Sequence, residues 1–193
     1  PKTYKIYAVC DAHLDTQWNW DLTHTIREYI PRILFQNLWM LERYPDYKFN
    51  FEGGIIYRWM KEYYPLHYAR LQKYIDEGRW HISGASWNAN DPNMPSAESF
   101  IRNILQGQEL YKREFGVRST DIFLPDSFGF GYTLPSLAAH CGLIGFSTQK
   151  LSWRKHDFFP DAPYHKKNPF SWGVWYGIDG QSLMAAFDTG GYT

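Results

Sequence analysis

The sequence predicts a mixed α/β fold in which parallel strands are joined by crossover helices, either as an open sheet or closed into a barrel. Short apolar runs alternate with longer stretches whose apolar residues recur at helical spacing. Such alternation is typical of parallel sheets. Polar residues also follow the predicted strands, where the active sites of parallel α/β folds form. The chain of 193 residues fits one domain over residues 1–193, because domains usually have about 100–200 residues.

The first part of the chain predicts two strands and two long helices. A strand over residues 5–12 precedes a helix over residues 21–44, which Pro31 should bend or divide because proline lacks a backbone N–H. A second strand is predicted at residues 47–51. Apolar residues then recur at helical spacing over residues 55–77, until a glycine ends the pattern.

The rest of the chain continues the alternation. Pro95 and Ser96 predict the start of a helix and Gly116 predicts its end, and a shorter helix is predicted at residues 134–141. The remaining strands are predicted at residues 79–86, 121–125, 144–149, 171–176 and 182–187. A closed (β/α) barrel takes about 250 residues, so this chain, which stops directly after a predicted strand, is expected to be part of a barrel, and the resemblance described below implies its N-terminal portion.

Composition narrows the class of partner. Lys plus Arg equals Asp plus Glu at 20 each, so no sequence-wide field favours nucleic acid or an anionic membrane surface. Aromatic residues reach 19%, and their flat rings suit the apolar faces of sugars. The sequence has neither an apolar run long enough to span a membrane nor a leader typical of a signal peptide. Cys10 and Cys141 cannot form a disulfide framework and are expected to act as small hydrophobic residues.

Each of the first five predicted strands is followed by a residue capable of chemistry or binding. In chain order these residues are His13 and Asp15, Glu52, Trp87 and Asp91, Asp126, and Lys150. Acids scattered at random would lie mostly on helix surfaces, whereas the carboxyl ends of parallel strands share one face of the fold. The clustering therefore predicts a catalytic face.

His13 and Asp15 are spaced as ligands of a divalent metal. On extended backbone, residues two apart point to the same side, and Leu14 between them points away. An imidazole and a carboxylate on one side suit such an ion. The alternative is that Asp15 caps the next helix and His13 is an ordinary, partly buried imidazole.

Asp126, Asp91 and Lys150 are further candidates. Asp126 precedes a turn containing Gly129, and a strand end would hold its carboxylate rigidly, although helix capping is an equal alternative. Asp91 lies among turn-forming residues, so loop structure is its main expected role and substrate contact a secondary one. Lys150 could hold a carboxylate or a sugar hydroxyl, or it could be a solvated lysine.

Several stretches together resemble glycoside hydrolase family 38, the α-mannosidases, and especially its bacterial members. HLDTQW at residues 13–18 resembles the family's His-x-Asp-x-x-Trp signature, and LPDSFG at residues 124–129 resembles its Pro-Asp-x-Phe-Gly motif. Residues 78–80, 87–98 and 146–153 are also similar to family sequence in the expected order. The resemblance covers nearly the whole chain.

The resemblance implies a seven-stranded (β/α) barrel and a role for each motif residue. It implies that His13, Asp15 and Asp126 bind zinc, that Asp126 is also the nucleophile, and that Trp18 lines the sugar subsite. Phe128, with Lys150 and Asp91, would complete the substrate contacts. A second histidine ligand and the general acid/base carboxyl are expected beyond this segment, so that the segment alone should be inactive.

Two departures from the family pattern bear on linkage preference. Asp11 stands where the common His-x-His-x-Asp pattern has its first histidine, and residues 51–54 differ from the usual glutamine-containing stretch.

The predicted function is that of a metal-dependent retaining exo-α-mannosidase acting on mannose-containing glycans. Zinc is favoured as the cofactor, while calcium, cobalt or manganese would also fit the ligands. No nucleic-acid or membrane partner is expected, and a homo-oligomer of the full-length enzyme is left open.

Two other functions are compatible with the same residues. A metal-dependent carbohydrate deacetylase on a related barrel would use His and Asp ligands to activate water. A non-catalytic sugar-binding module would need only the aromatic side chains. Covalent trapping on Asp126 would separate the mannosidase from the deacetylase, and a sugar-binding module would tolerate loss of Asp126.

Overall fold

The structure is a computed structural model that describes residues 3–5, 8–150 and 171–187. Its strands are β1 (Cys10–Ala12), β2 (Phe49–Phe51), β3 (Trp80–Ile82), β4 (Asp121–Phe123), β5 (Gly145–Thr148), β6 (Trp172–Tyr176) and β7 (Ser182–Phe187). Its α-helices are α1 (Leu22–His24), α2 (Ile30–Arg43), α3 (Gly54–Tyr63), α4 (Pro65–Tyr68), α5 (Leu71–Asp76), α6 (Ala97–Phe115) and α7 (Leu134–His140). A π-helical turn, Thr25–Tyr29, joins α1 to α2.

The strands form two sheets with mostly parallel pairing. One sheet has the order β1-β2-β3 and the other the order β4-β5-β7-β6. All pairs except β6 with β7 are parallel. The two sheets meet where the Ala85 amide donates to the Asp121 carbonyl at 2.9 Å. The predicted mixed α/β fold with parallel strands is therefore confirmed, and the described residues do not close into a barrel.

Strand β6 departs from the predicted parallel arrangement, whereas β7 pairs in parallel with β5. β6 and β7 form an antiparallel hairpin, with Trp172 opposite Ala186 and Tyr176 opposite Ser182. The connection is too short for a crossover helix, which a parallel pair would need. Gly180, at φ +81°, takes the left-handed conformation that this turn requires.

Of the two prolines within the predicted helices, Pro31 lies where the helix changes from π to α geometry and Pro65 lies at a break. Pro31 lies in the first turn of α2, directly after the π-helical turn, as the sequence predicts. The single helix predicted over residues 55–77 is wrong, since the structure has α3, α4 and α5 there. Tyr64 leaves the helical region at φ −133° and ψ 49°, because the residue before Pro65 is disfavoured there.

Helix α6 has the predicted ends and packs closely on the chain that follows β3. The Ser96 hydroxyl accepts a hydrogen bond from the Ser99 amide at 3.2 Å, and Gly116 ends the helix at φ +72°. Within the helix, a Cβ at Gly107 would lie only 2.1 Å from the Ala85 carbonyl oxygen. Glycine at this position therefore lets the helix contact the backbone of residues 85–87 directly.

Two apolar clusters support the two sheets. The larger one packs α2, α3 and α5 against β2 and β3, and its fully buried members include Leu34, Tyr57 and Trp80. The smaller one gathers α6 and α7 around β4, β5 and β7.

Cys10 is exposed, so its expected role as a buried hydrophobic residue is wrong. Among the described residues, no helix is long and apolar enough to cross a membrane.

Candidate metal and catalytic site

The candidate site is formed by residues in the short segments that follow the carboxyl ends of β1, β2, β4 and β5. After β1, His13 and Asp15 alternate with Leu14, which packs against the larger apolar cluster. The packing of Leu14 supports the predicted geometry, in which it points away from its two polar neighbours. Glu52 follows β2, Asp126 follows β4 and Lys150 follows β5.

His13, Asp15 and Asp126 bring their side chains together at this edge. One potential ligand atom from each residue lies within 4.8 Å of the other two. His13 Nε2 lies 3.3 Å from Asp15 Oδ1. The His13 side chain is only 9% exposed, whereas those of Asp15 and Asp126 are 39% and 29% exposed. The cluster therefore has a buried imidazole side and a carboxylate side open to solvent.

The second ring nitrogen of His13 contacts a buried acid. His13 Nδ1 lies 2.8 Å from Glu52 Oε1, and the Glu52 side chain is 4% exposed. Burial opposes a charge on the ring, but the contacts with Asp15 and Glu52 outweigh it and raise the pKa of His13 to about 10. Burial raises the pKa of Glu52, and contact with His13 lowers that of Asp15.

Asp126 is paired with a buried lysine. Lys150 Nζ lies 2.5 Å from Asp126 Oδ1, and the Lys150 side chain is 4% exposed. The same ammonium group lies 5.2 Å from the centre of the Phe128 ring, within the range of a cation–π contact. Lys150 is therefore not a solvated loop lysine. Its charge is fixed beside the carboxylate, where water screens it weakly.

Neither aspartate of the cluster serves as a helix cap. Asp21 is the residue that caps α1, where its carboxylate accepts a hydrogen bond from the His24 amide at 2.8 Å. The N-terminal residue of α7 is preceded by Thr133, seven positions after Asp126. The capping alternatives for Asp15 and Asp126 are therefore wrong, which leaves their carboxylates available at the cluster.

The other candidate substrate-binding residues, Trp18, Phe128 and Asp91, are exposed. Trp18 is 73% exposed and packs edge-on against Trp20, with ring centres 5.9 Å apart. Phe128 is equally exposed. Asp91 is exposed in its loop, where its carboxylate accepts a hydrogen bond from the Asn93 amide at 2.7 Å. That hydrogen bond agrees with the main role expected of Asp91, which is to stabilise the loop.

The residues of the cluster provide the ligand types that a divalent metal needs. His13 Nε2 is buried and has no hydrogen-bond partner among the described residues, although it faces the Asp15 carboxylate. A buried nitrogen without a hydrogen bond is unfavourable unless another group, such as a metal ion, satisfies it. One imidazole and two carboxylates match the mixed N and O ligand set of zinc. The three side chains therefore fit a metal ion.

Glu52 follows a predicted strand, but the sequence alone indicates no specific role for it. The structure adds it to the site through its contact with His13. Its strand-end position was one signal, and its place in the segment that departs from the family pattern was another. What the sequence lacked was the pairing of β1 with β2, which brings Glu52 beside His13.

Comparison with protein families gives a match along almost the whole chain. Residues 3–193 match the family model described as the glycosyl hydrolases family 38 N-terminal domain. The chain therefore belongs to glycoside hydrolase family 38, and the prediction made from residues 13–18 and 124–129 is confirmed.

Individual relatives agree with this assignment. The chain is 36% identical over 183 residues to alpha-mannosidase G from Dictyostelium discoideum. The aligned region covers 95% of this chain and 16% of that protein. It is 33% identical over 187 residues to alpha-mannosidase 2C1 from Homo sapiens, covering 97% of this chain and 17% of that protein. The chain thus spans about a sixth of the length of these curated relatives.

A solved structure supports the fold. The crystal structure of an alpha-mannosidase from Enterococcus faecalis V583 matches with a TM-score of 0.77 at 21% sequence identity. The match covers 96% of this chain and 20% of that one. At this level of identity the likeness concerns the arrangement of strands and helices.

Proposed function

We propose that this chain is part of a metal-dependent retaining exo-α-mannosidase that hydrolyses terminal α-mannosyl residues of glycans. The observation that carries the proposal is the approach of His13, Asp15 and Asp126 to within 4.8 Å of one another at the carboxyl ends of the strands. Membership of family 38 and similarity to proteins named alpha-mannosidases support the substrate class.

His13, Asp15 and Asp126 would hold the metal ion, with zinc favoured by the imidazole nitrogen. When bound there, the ion would supply a positive charge that binds sugar hydroxyls and polarises them. His13 would offer Nε2, its buried nitrogen, and the two aspartates their carboxylate oxygens. The solvent-exposed side of the cluster is where a sugar ring could approach.

Asp126 is the proposed nucleophile. Its carboxylate is partly exposed at the end of β4, so it can reach an anomeric carbon from the open side of the cluster. Lys150, 2.5 Å away, holds the carboxylate in place and offers a positive charge beside it. The exposed rings of Trp18 and Phe128 would supply the apolar floor for the sugar, with Asp91 as a further contact.

A retaining glycosidase needs a second carboxyl group as general acid/base, about 5–5.5 Å from the nucleophile. We propose that this group comes from sequence outside these 193 residues, as does a second histidine ligand. The order of β1-β2-β3 and of β4-β5-β7, each built from parallel neighbours, also supports the proposal that these strands belong to a seven-stranded barrel in the whole protein.

The experiment that tests this function uses the full-length protein and an aryl α-mannoside. Activity should fall to the background rate after dialysis against a chelator and should return when zinc is added back, because the chemistry depends on an ion held by the cluster. Proton NMR of the product should detect the α-anomer first, since two successive displacements retain configuration.

Two results would contradict the proposal. Hydrolysis that survives complete removal of metal would exclude metal dependence, and a β-anomer as the first product would exclude the retaining mechanism. The same preparation should be tested with an N-acetylated sugar, because release of acetate without release of mannose would favour the deacetylase.

A further inference from the structure

A buried carboxylate lies directly behind the candidate metal ligands. Glu52 follows β2, and its side chain is 4% exposed. Glu52 Oε1 lies 2.8 Å from His13 Nδ1, and Glu52 Oε2 is buried without a hydrogen-bond partner among the described residues. The acid therefore contacts the histidine ring at Nδ1, whereas Asp15 lies at the other ring nitrogen, Nε2.

The surrounding backbone leaves space for this carboxylate. Gly84, at φ +66°, lies beside it after β3, and a Cβ there would come within 3.2 Å of Glu52 Oε2. A buried acid is unfavourable in a protein interior unless it is paired. His13 is the partner that the structure provides, so the cost of burying Glu52 is offset by one contact at the site.

This contact determines which nitrogen of His13 faces the cluster. When Glu52 is ionised its carboxylate oxygen can only accept a hydrogen bond, and His13 Nδ1, 2.8 Å away, is then the nitrogen that carries the hydrogen and donates it. Nε2 then faces Asp15 at 3.3 Å, with the lone pair available to a metal ion once its own hydrogen is gone. The ring is also fixed in orientation, because it is held at one nitrogen by a buried group.

We propose that Glu52 is a positioning residue, which holds His13 in the ring orientation and hydrogen arrangement that present Nε2 to the metal ion. The inference rests on the proposed function, since it takes His13 as a metal ligand. Carboxylates that accept from a metal-binding histidine typically raise metal affinity by about 10–100-fold.

The test compares zinc binding by the full-length wild type with that of three variants. Glu52→Gln keeps the size and one acceptor oxygen but loses the charge, and Glu52→Ala removes the contact. Glu114→Gln is the matched control, because Glu114 is also mostly buried and is paired with Lys61 at 2.5 Å, outside the metal cluster. Zinc affinity is measured by competition with a coloured chelator, and activity is measured with limiting and with excess zinc.

We expect Glu52→Gln to bind zinc about 10-fold more weakly and Glu52→Ala up to about 100-fold more weakly, with Glu114→Gln unchanged. Excess zinc should restore most of the activity of Glu52→Gln, which a purely structural role for Glu52 would not predict. Zinc affinity of Glu52→Gln within about twofold of wild type would overturn the inference. If Glu52→Gln binds zinc normally and the wild type is active and binds zinc, only the positioning role of Glu52 is overturned and the proposed function stands. If the wild type binds no zinc, the positioning role and the proposed function are both overturned.

A measurement on the wild type makes the inference independent of whether the variants fold. Nitrogen NMR of zinc-loaded protein labelled at histidine should find a hydrogen on Nδ1 of His13 and zinc on Nε2. Zinc on Nδ1 would overturn the positioning role, because Glu52 Oε1 lies 2.8 Å from that atom.

Discussion

Replacing Asp126 with asparagine is expected to lower the rate of mannoside hydrolysis by about 10⁴-fold or more. The change removes the proposed nucleophile and weakens one of the three proposed metal ligands in this chain, while it keeps the size of the side chain. The measurement is the steady-state rate on an aryl α-mannoside with excess zinc, so that weaker metal binding alone does not account for the loss. Asp76→Asn, on the exposed end of α5, is the matched control and should keep the wild-type rate.

Covalent trapping tests whether Asp126 is the nucleophile or only a metal ligand. A fluorinated mannosyl fluoride should label the wild type, and peptide mass spectrometry should find the sugar on Asp126, whose carboxylate is partly exposed. A label on another residue would contradict the assignment, and so would an Asp126→Asn variant that retains more than about a tenth of the wild-type rate.

The second large effect concerns stability. Gly107→Ala should destabilise the protein by about 1–3 kcal/mol, because the added methyl group would lie 2.1 Å from the Ala85 carbonyl oxygen and 2.7 Å from the Trp87 amide nitrogen. In an exposed helix the same change would stabilise by about 1 kcal/mol, so the sign of the effect reports the close contact of α6 with this backbone. The measurement is the free energy of unfolding from a denaturant titration.

Lys112→Ala provides the control for Gly107→Ala, because Lys112 lies on the exposed face of the same helix. It should change the free energy of unfolding by no more than about 0.5 kcal/mol. A Gly107→Ala variant as stable as wild type would contradict the packing of α6 on residues 85–87. The contact also bears on the site, because residues 85–87 lie on the stretch that leads from β3 toward Asp91.

Those parts of the fold that depend on local chemistry could be predicted from the sequence. Ser96 and Gly116 mark the ends of α6 because a hydroxyl satisfies exposed amides and glycine tolerates positive φ. Pro31 marks the change from π-helical to α-helical geometry at the start of α2 for an equally local reason. Pro65 carried the same kind of signal, but the apolar spacing continued through it, so one helix was predicted where the structure has three.

Features that depend on pairing between distant segments could not be predicted in detail. The antiparallel hairpin of β6 and β7 depends on a turn whose direction the apolar pattern does not specify. A shared face for His13, Asp15 and Asp126 followed from the general rule that the carboxyl ends of parallel strands lie on one face, whereas their grouping as ligands of one ion came from the family motifs. The contact of Glu52 with His13 depends on the pairing of β1 with β2, which only the structure provides.

Metal content is the most direct test of the central claim, that His13, Asp15 and Asp126 bind one metal ion. Elemental analysis after exhaustive dialysis should find one zinc or similar divalent ion per full-length wild-type chain and almost none in Asp15→Ala and Asp126→Ala. Both variants are expected to lose the metal because the two carboxylates, which follow β1 and β4, would bind the same ion. Full metal content in either variant, or no metal in the wild type, would contradict the account.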